Sequence, residues 1–256
     1  MKRILTTLFA ILLVAGVIAA PAKDYYQILV YHFNSASQEK MIDDYLQQTF
    51  LPMMHASGYK NIGVFSPLAN DTSADKKIYV FITLKNPGEI AEWNDHFWKK
   101  LPDQSTASAY WNSAYNDPPY NRMESILIRA WEMAPKMAVP KLSGPKEQRI
   151  YELRNYESAT DKLFRSKVHM FNEGGEIPLF ARLNFNAIFY GDVLAGSNMP
   201  NLMYMTCFEN MADRDAHWKA FVDSPEWKKL VAMPQYKNTI SKLEAILMKA
   251  KSYSDL

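Results

Sequence analysis

The amino-acid sequence predicts an α+β protein made of two tandem β-α-β-β-α-β units. Three observations carry this: an internal repeat, a Pro/Gly-rich divider near the middle, and one order of strand-like and helix-like segments on both sides of it. Ala134 to Glu147 holds Pro135, Pro140, Gly144 and Pro145, shows no helical or strand period, and reads as a linker. It separates a first domain over 23–133 from a second over 148–256.

The repeat is read from ordered matches. Met123 to Ala130 aligns without a gap on Leu243 to Ala250, 120 positions later, matching in chemical type throughout. Tyr79 to Leu84 lies over Leu202 to Cys207 with Thr83 on Thr206, Trp93 over Trp218, and Trp111 over Trp227. The falling offset after Trp93 gives the first copy about nine extra residues, near Gln104 to Ser108. Several matches in one order indicate duplication.

Each unit opens on a strand, Tyr26 to Phe33 or Ile150 to Tyr156, by length and aromatic or β-branched content. A helix follows, from the spacing of Met41, Tyr45 and Leu46 and of Phe164, Val168 and Phe171. Two strands come next, near Ile62 to Phe65 and Ile78 to Leu84, and near Asn186 to Tyr190 and Leu202 to Phe208. A second helix begins after Asn86-Pro87-Gly88 and near Asn210, where Asn caps and Pro suits the first turn. The matched eight-residue strand closes each unit. Helices should cover one sheet face.

Met1 to Ala22 has a basic start at Lys2 and Arg3, the apolar run Ile4 to Ala19, and a small-residue exit at Ala20-Pro21-Ala22. This is the pattern of a secretory signal peptide, so a periplasmic or extracellular protein with no membrane span after cleavage is expected. Without Lys2 and Arg3 the chain carries 27 basic and 27 acidic residues, a balance that argues against nucleic acid as a partner. Cys207 is the sole cysteine, so no intramolecular disulfide is available and the fold rests on its core.

The second unit carries Arg149-Ile150-Tyr151-Glu152-Leu153-Arg154-Asn155-Tyr156 on its first strand. Its last helical region has Arg214-x-x-x-Trp218 and Ser224-Pro225-Glu226-Trp227. These stretches resemble the opening and closing motifs of NIPSNAP domains. The resemblance implies a ferredoxin-like domain and, since two such domains pair in that family, an intramolecular dimeric α/β barrel. The first unit lacks the Ser-Pro-Glu-Trp box and keeps only Trp111. Such barrels host unrelated chemistries, so the resemblance speaks for fold before function.

Strand alternation puts Glu152, Arg154 and Tyr156 on one face, with Leu29, Tyr31 and Phe33 as the corresponding set in the first unit. With the two sheets facing each other, these side chains would line the space between them. Glu152, Arg154, Tyr156, Tyr31 and Phe33 are therefore candidates for holding a small hydrophobic or aromatic ligand with a polar group. The competing reading pairs Glu152 with Arg154 as a structural buttress. The histidines His32, His55, His96, His169 and His217 form no metal-binding spacing, and no metal or cofactor is expected, haem being a third option by analogy with related barrels. His96, beside Asp95, is the single candidate for a general base, against a structural role. Trp93, Trp98, Tyr110, Trp111 and Tyr115 read as a buried aromatic face with an excess that could cap the barrel mouth. Two functions stay open: a small-molecule binder or modifier, and a non-catalytic protein-interaction module of the cell envelope.

Overall fold

The computed structural model describes residues 22–100 and 108–256; residues 1–21 of the expected leader and 104–107 of the expected insertion lie outside them. The elements run β1 (Tyr25–Phe33), α1 (Ala36–Tyr45), α2 (Leu51–Ala56), β2 (Gly63–Pro67), β3 (Lys76–Leu84), α3 (Glu89–Lys100), α4 (Ser108–Trp111) and β4 (Arg122–Ala130). The second half repeats the order with β5 (Ile150–Glu157), α5 (Asp161–Phe171), α6 (Glu176–Arg182), β6 (Phe189–Ala195), β7 (Asn201–Phe208), α7 (Met211–Asp223), α8 (Pro225–Ala232) and β8 (Lys242–Ala250). β6 starts later than the sequence predicts. Asn184 and Asn186 sit at φ 55° and 47°, a left-handed turn that cannot continue a strand.

The eight strands close into one antiparallel barrel in the order β1-β3-β2-β8-β5-β7-β6-β4. The barrel is the one the resemblance implies, but the halves join edge to edge where the sequence reading puts two sheets facing each other across a space. The outer strands of the halves join at both seams, β2 to β8 through Phe65–Ala250 and Pro67–Met248, and β4 to β6 through Ile128–Val193 and Ala130–Gly191. Each seam pairs backbone groups that would otherwise remain open at a sheet edge. At the second seam a Cβ on Gly191 would meet the Arg129 carbonyl oxygen at 2.5 Å, so the close approach requires glycine.

Because every neighbour is antiparallel, β1 and β5, four strands apart, run in the same direction, and a pseudo-two-fold lies along the barrel axis. Strand register locates equivalent residues. Tyr26 opposes Ile128 as Tyr151 opposes Met248, which reproduces the 120-residue offset of the closing strands. Gln27 opposes Ile82 whereas Glu152 opposes Thr206, so Ile82, not Thr83, is the counterpart of Thr206. The Thr83 match was one residue out of register and would place equivalent side chains on opposite faces.

The barrel interior is apolar and aromatic, with Tyr26, Phe65, Phe81, Tyr151, Leu153, Phe189 and Met205 in one cluster. Tyr26 packs on Phe189 at 5.0 Å and Tyr151 on Phe65 at 4.7 Å, two equivalent contacts that cross between the halves. A second cluster lies between the outer face of the first half and its helices, a third between the outer face of the second half and its own. Among the described residues no helix is long and apolar enough to cross a membrane.

Candidate functional site

Glu152, Arg154 and Tyr156 do not line the space between the halves. Tyr151 and Leu153 point into the barrel, so their strand neighbours point outward under the helices of the second half, where Tyr156 joins the outer cluster. Leu29, Tyr31 and Phe33 likewise lie beneath the helices of the first half. Alternation separates the two faces of a strand but does not say which is inward when both are covered.

In the second half the outward face holds a charged knot. Glu152, fully buried, accepts Arg154 Nε on Oε1 at 2.7 Å, Arg214 Nε on Oε2 at 2.8 Å, Arg214 Nη2 on Oε1 at 3.0 Å, and Trp218 Nε1 on Oε2 at 2.8 Å. The two family-like motifs thus meet on one carboxylate, β5 supplying Glu152 and Arg154 and α7 supplying Arg214 and Trp218. The Arg154 guanidinium stacks 3.7 Å from the Trp218 ring centre and donates from Nη1 to the Tyr156 hydroxyl, itself 2.8 Å from that of Tyr204. Burial pushes the Glu152 carboxyl up, but the hydrogen bonds from Arg214, the Arg154 charge and the Trp218 indole outweigh it and hold the group below its ordinary value. Every polar atom of this carboxylate is committed within the protein, so the geometry supports the buttress.

Deeper under α5 and α6, Lys167 Nζ donates to Glu176 at 2.8 Å with both side chains buried, and the ammonium lies 4.5 Å from the Phe171 ring. Burial raises the Glu176 carboxyl against the opposing pull of Lys167. This pair escapes a reading by sequence because its members lie nine residues apart in a segment whose helix is interrupted at Gly175.

The first half presents the same face without the charges. Ser35 and Thr160 are both N-caps and set α1 and α5 in register 125 residues apart. On that register Gln27 stands where the second half has Glu152, Leu29 where it has Arg154, Tyr31 for Tyr156, Ile42 for Lys167 and Trp93 for Trp218. Val80 opposes Leu29 as Tyr204 opposes Arg154. Trp93 Nε1 donates to Gln27 Oε1 at 3.2 Å, repeating the indole-to-strand bond of Trp218, and Gln27 Nε2 donates to Ser125 at 2.8 Å.

Where the second half has Arg154 the first has the shorter Leu29, and a pocket of about 320 Å³ lies beside it on this face. Its walls include Leu29, Tyr31, Tyr45, Trp93, Tyr110 and Tyr120, with Trp111 and Tyr115 at the exposed edge. Tyr45 and Tyr110 stack in parallel at 3.8 Å, and Tyr31 meets Tyr120 edge-on at 5.6 Å. Burial raises the Tyr31, Tyr45 and Tyr110 phenols, so they are neutral at physiological pH. Of the predicted residues, Tyr31 lines the pocket, whereas Phe33 is core. His96 lies on α3 with Trp93, and its side chain falls outside the described ones. His32 is held between Asp75 at 3.0 Å and Glu124 at 2.8 Å. Of the predicted aromatic face, Trp93, Tyr110, Trp111 and Tyr115 wall this pocket, and the Trp98 side chain lies outside the described ones. In the sequence Tyr45 marks only a helix period and Tyr120 carries no signal, so their tertiary convergence on Tyr110 is what places them in the pocket.

An eight-stranded barrel closed from two repeated halves, with helices outside, is the architecture of the dimeric α/β barrel class. Residues 151–255 match the NIPSNAP family model, a stretch that holds Glu152 and Arg154 on β5, Arg214 and Trp218 on α7 and the Ser224-Pro225-Glu226-Trp227 box. No curated protein sequence matches the chain. Among solved structures, a protein named "putative monooxygenase" from Lactobacillus acidophilus NCFM is similar at 12% identity and a TM-score of 0.57, covering 89% of this chain and 94% of its own. A second protein so named, from Fusobacterium nucleatum, matches at 10% identity and a TM-score of 0.57 over 90% and 93%. An anthrone oxidase-like protein matches at 9% identity and 0.51 over 91% and 94%. These alignments span both halves and show the fold.

Proposed function

We propose that the protein binds a small hydrophobic or aromatic molecule in the outer pocket of its first half, and that the charged knot of the second half is structural. The pocket of about 320 Å³ walled by aromatic rings carries this reading. Its size lies at the lower end of small-molecule sites, and its lining is apolar with a few phenol hydroxyls. The two halves then act as tandem ferredoxin-like domains, one hollow and one filled. The solved structures named for oxidase or monooxygenase activity share the fold at low identity, which lends no chemistry to this chain. The leader-like Met1 to Ala22 supports export, checked by the mass of material recovered outside the cytoplasm.

A thermal-shift screen of the protein without its leader tests the binding reading, because a specific ligand raises the melting temperature by mass action. A hit should be lost in Ala114→Trp, which fills the pocket from an exposed wall position. It should persist in Val222→Ala, on an exposed face of α7. A hit retained by Ala114→Trp would place the ligand elsewhere and refute the assignment.

A further inference from the structure

Resting on that reading, we infer that the pocket selects uncharged flat molecules and rejects carboxylates and ammonium ions of the same shape. None of its described wall residues is charged: the lining is Tyr, Trp, Phe, Leu, Met, Pro, Ala and Ser. The comparison between halves makes this neutrality systematic. The second half carries Glu152, Arg154 and Lys167 on this face, where the first has Gln27, Leu29 and Ile42. Gln27 is the informative member. It is buried and keeps the indole hydrogen bond that Glu152 makes, yet it carries no charge. A glutamate here would lack the arginines that compensate Glu152, since Leu29 replaces Arg154 and Glu89 stands at the position of Arg214.

The same arithmetic applies to a ligand. An ion entering this pocket gives up hydration and meets no counter-charge, whereas a neutral ring system loses little and gains ring contacts. The polar groups offered are the phenol hydroxyls of the lining tyrosines. They can serve a ligand hydroxyl or carbonyl without adding charge. Gln27 is a positioning residue in this scheme: it fixes the plane of Trp93, one wall of the pocket, through its Oε1.

Three probes of one shape test the inference: 2-naphthol, 2-naphthoate and 2-naphthylmethylammonium, titrated at pH 7 by calorimetry. The expected result is 2-naphthol binding at least about tenfold tighter than either ion, about 1.4 kcal/mol of discrimination. Leu29→Arg, which imports the side chain of the second half, should favour 2-naphthoate over 2-naphthol. Should that variant not fold, Met123→Arg at the half-exposed rim should move the preference the same way. Wild-type protein that binds 2-naphthoate as tightly as 2-naphthol would overturn the charge selection while leaving the binding site standing. Binding of none of the three would remove both. For Gln27, Gln27→Leu should shift the Trp93 emission in ligand-free protein and weaken 2-naphthol; an unchanged spectrum would overturn its positioning role.

Discussion

Glu152 shows how much one residue can organise. Its carboxylate takes four hydrogen bonds from three side chains, so removing its charge strands two arginines on a mostly buried face. Glu152→Gln should destabilise the protein by about 3 kcal/mol in urea unfolding, the range for a broken buried ion pair. Arg154→Ala should cost less, about 1 to 3 kcal/mol, because Glu152 keeps both bonds from Arg214 and the one from Trp218. The pH dependence follows from the lowered carboxyl. Its stabilisation is complete above the ordinary value of 4.5 and is lost as pH falls through the folded-state value. Wild-type protein should therefore lose stability on acidification below about pH 4.5 more steeply than Glu152→Gln, as followed by thermal melts across pH. Parallel curves would show that the knot does not couple to protonation.

At the scale of elements, the helices are placed by short polar signals. Ser224 sits between α7 and α8, accepting from Trp227 N at 3.2 Å and donating to the Phe221 carbonyl at 2.7 Å, while Pro225 occupies the first turn. The Ser-Pro-Glu-Trp box is thus a helix start, with Trp227 packed on the second half's outer cluster and 4.4 Å from the Phe221 ring. Ser224→Ala should cost about 1 to 2 kcal/mol by thermal unfolding, through loss of the cap. Ser224→Asp, which keeps an acceptor, should recover most of it. Thr160 and Asn210 cap α5 and α7 in the same way, accepting from Leu163 N and Asp213 N. Asn210 was legible in the sequence because a capping residue needs only its own side chain and the next turn.

The whole molecule depends on the two seams. Each half on its own would expose β2 and β4, or β6 and β8, as unpaired edges. Residues 148–256 expressed alone should elute from a sizing column as a dimer or larger, pairing β6 with β8 of another copy; a stable monomer would show that the seams contribute little. Inside the barrel, the hydroxyls of Tyr26 and Tyr151 have no hydrogen-bond partner among the described residues. Tyr151→Phe should leave the melting temperature unchanged or raise it, since it removes an unsatisfied buried group. A drop of several degrees would show that the hydroxyl is bonded.

Composition, periodicity and motif by themselves determined the order of the strands, the α7 cap, the family resemblance of the second half and the Glu152–Arg154 pair. These rest on local properties: strand period, capping chemistry and the spacing of residues two apart on one strand. Tertiary structure alone decided which face of β1 and β5 is inward, because both faces are covered and both are rich in aromatic side chains. It also decided that the halves join edge to edge, since unpaired edges seek partners wherever topology brings them. The pocket belongs to this second group. Leu29 looks like an ordinary core residue in the sequence, and only its register with Arg154 reveals it as the smaller side chain beside which Tyr31, Tyr45, Tyr110 and Tyr120 leave room.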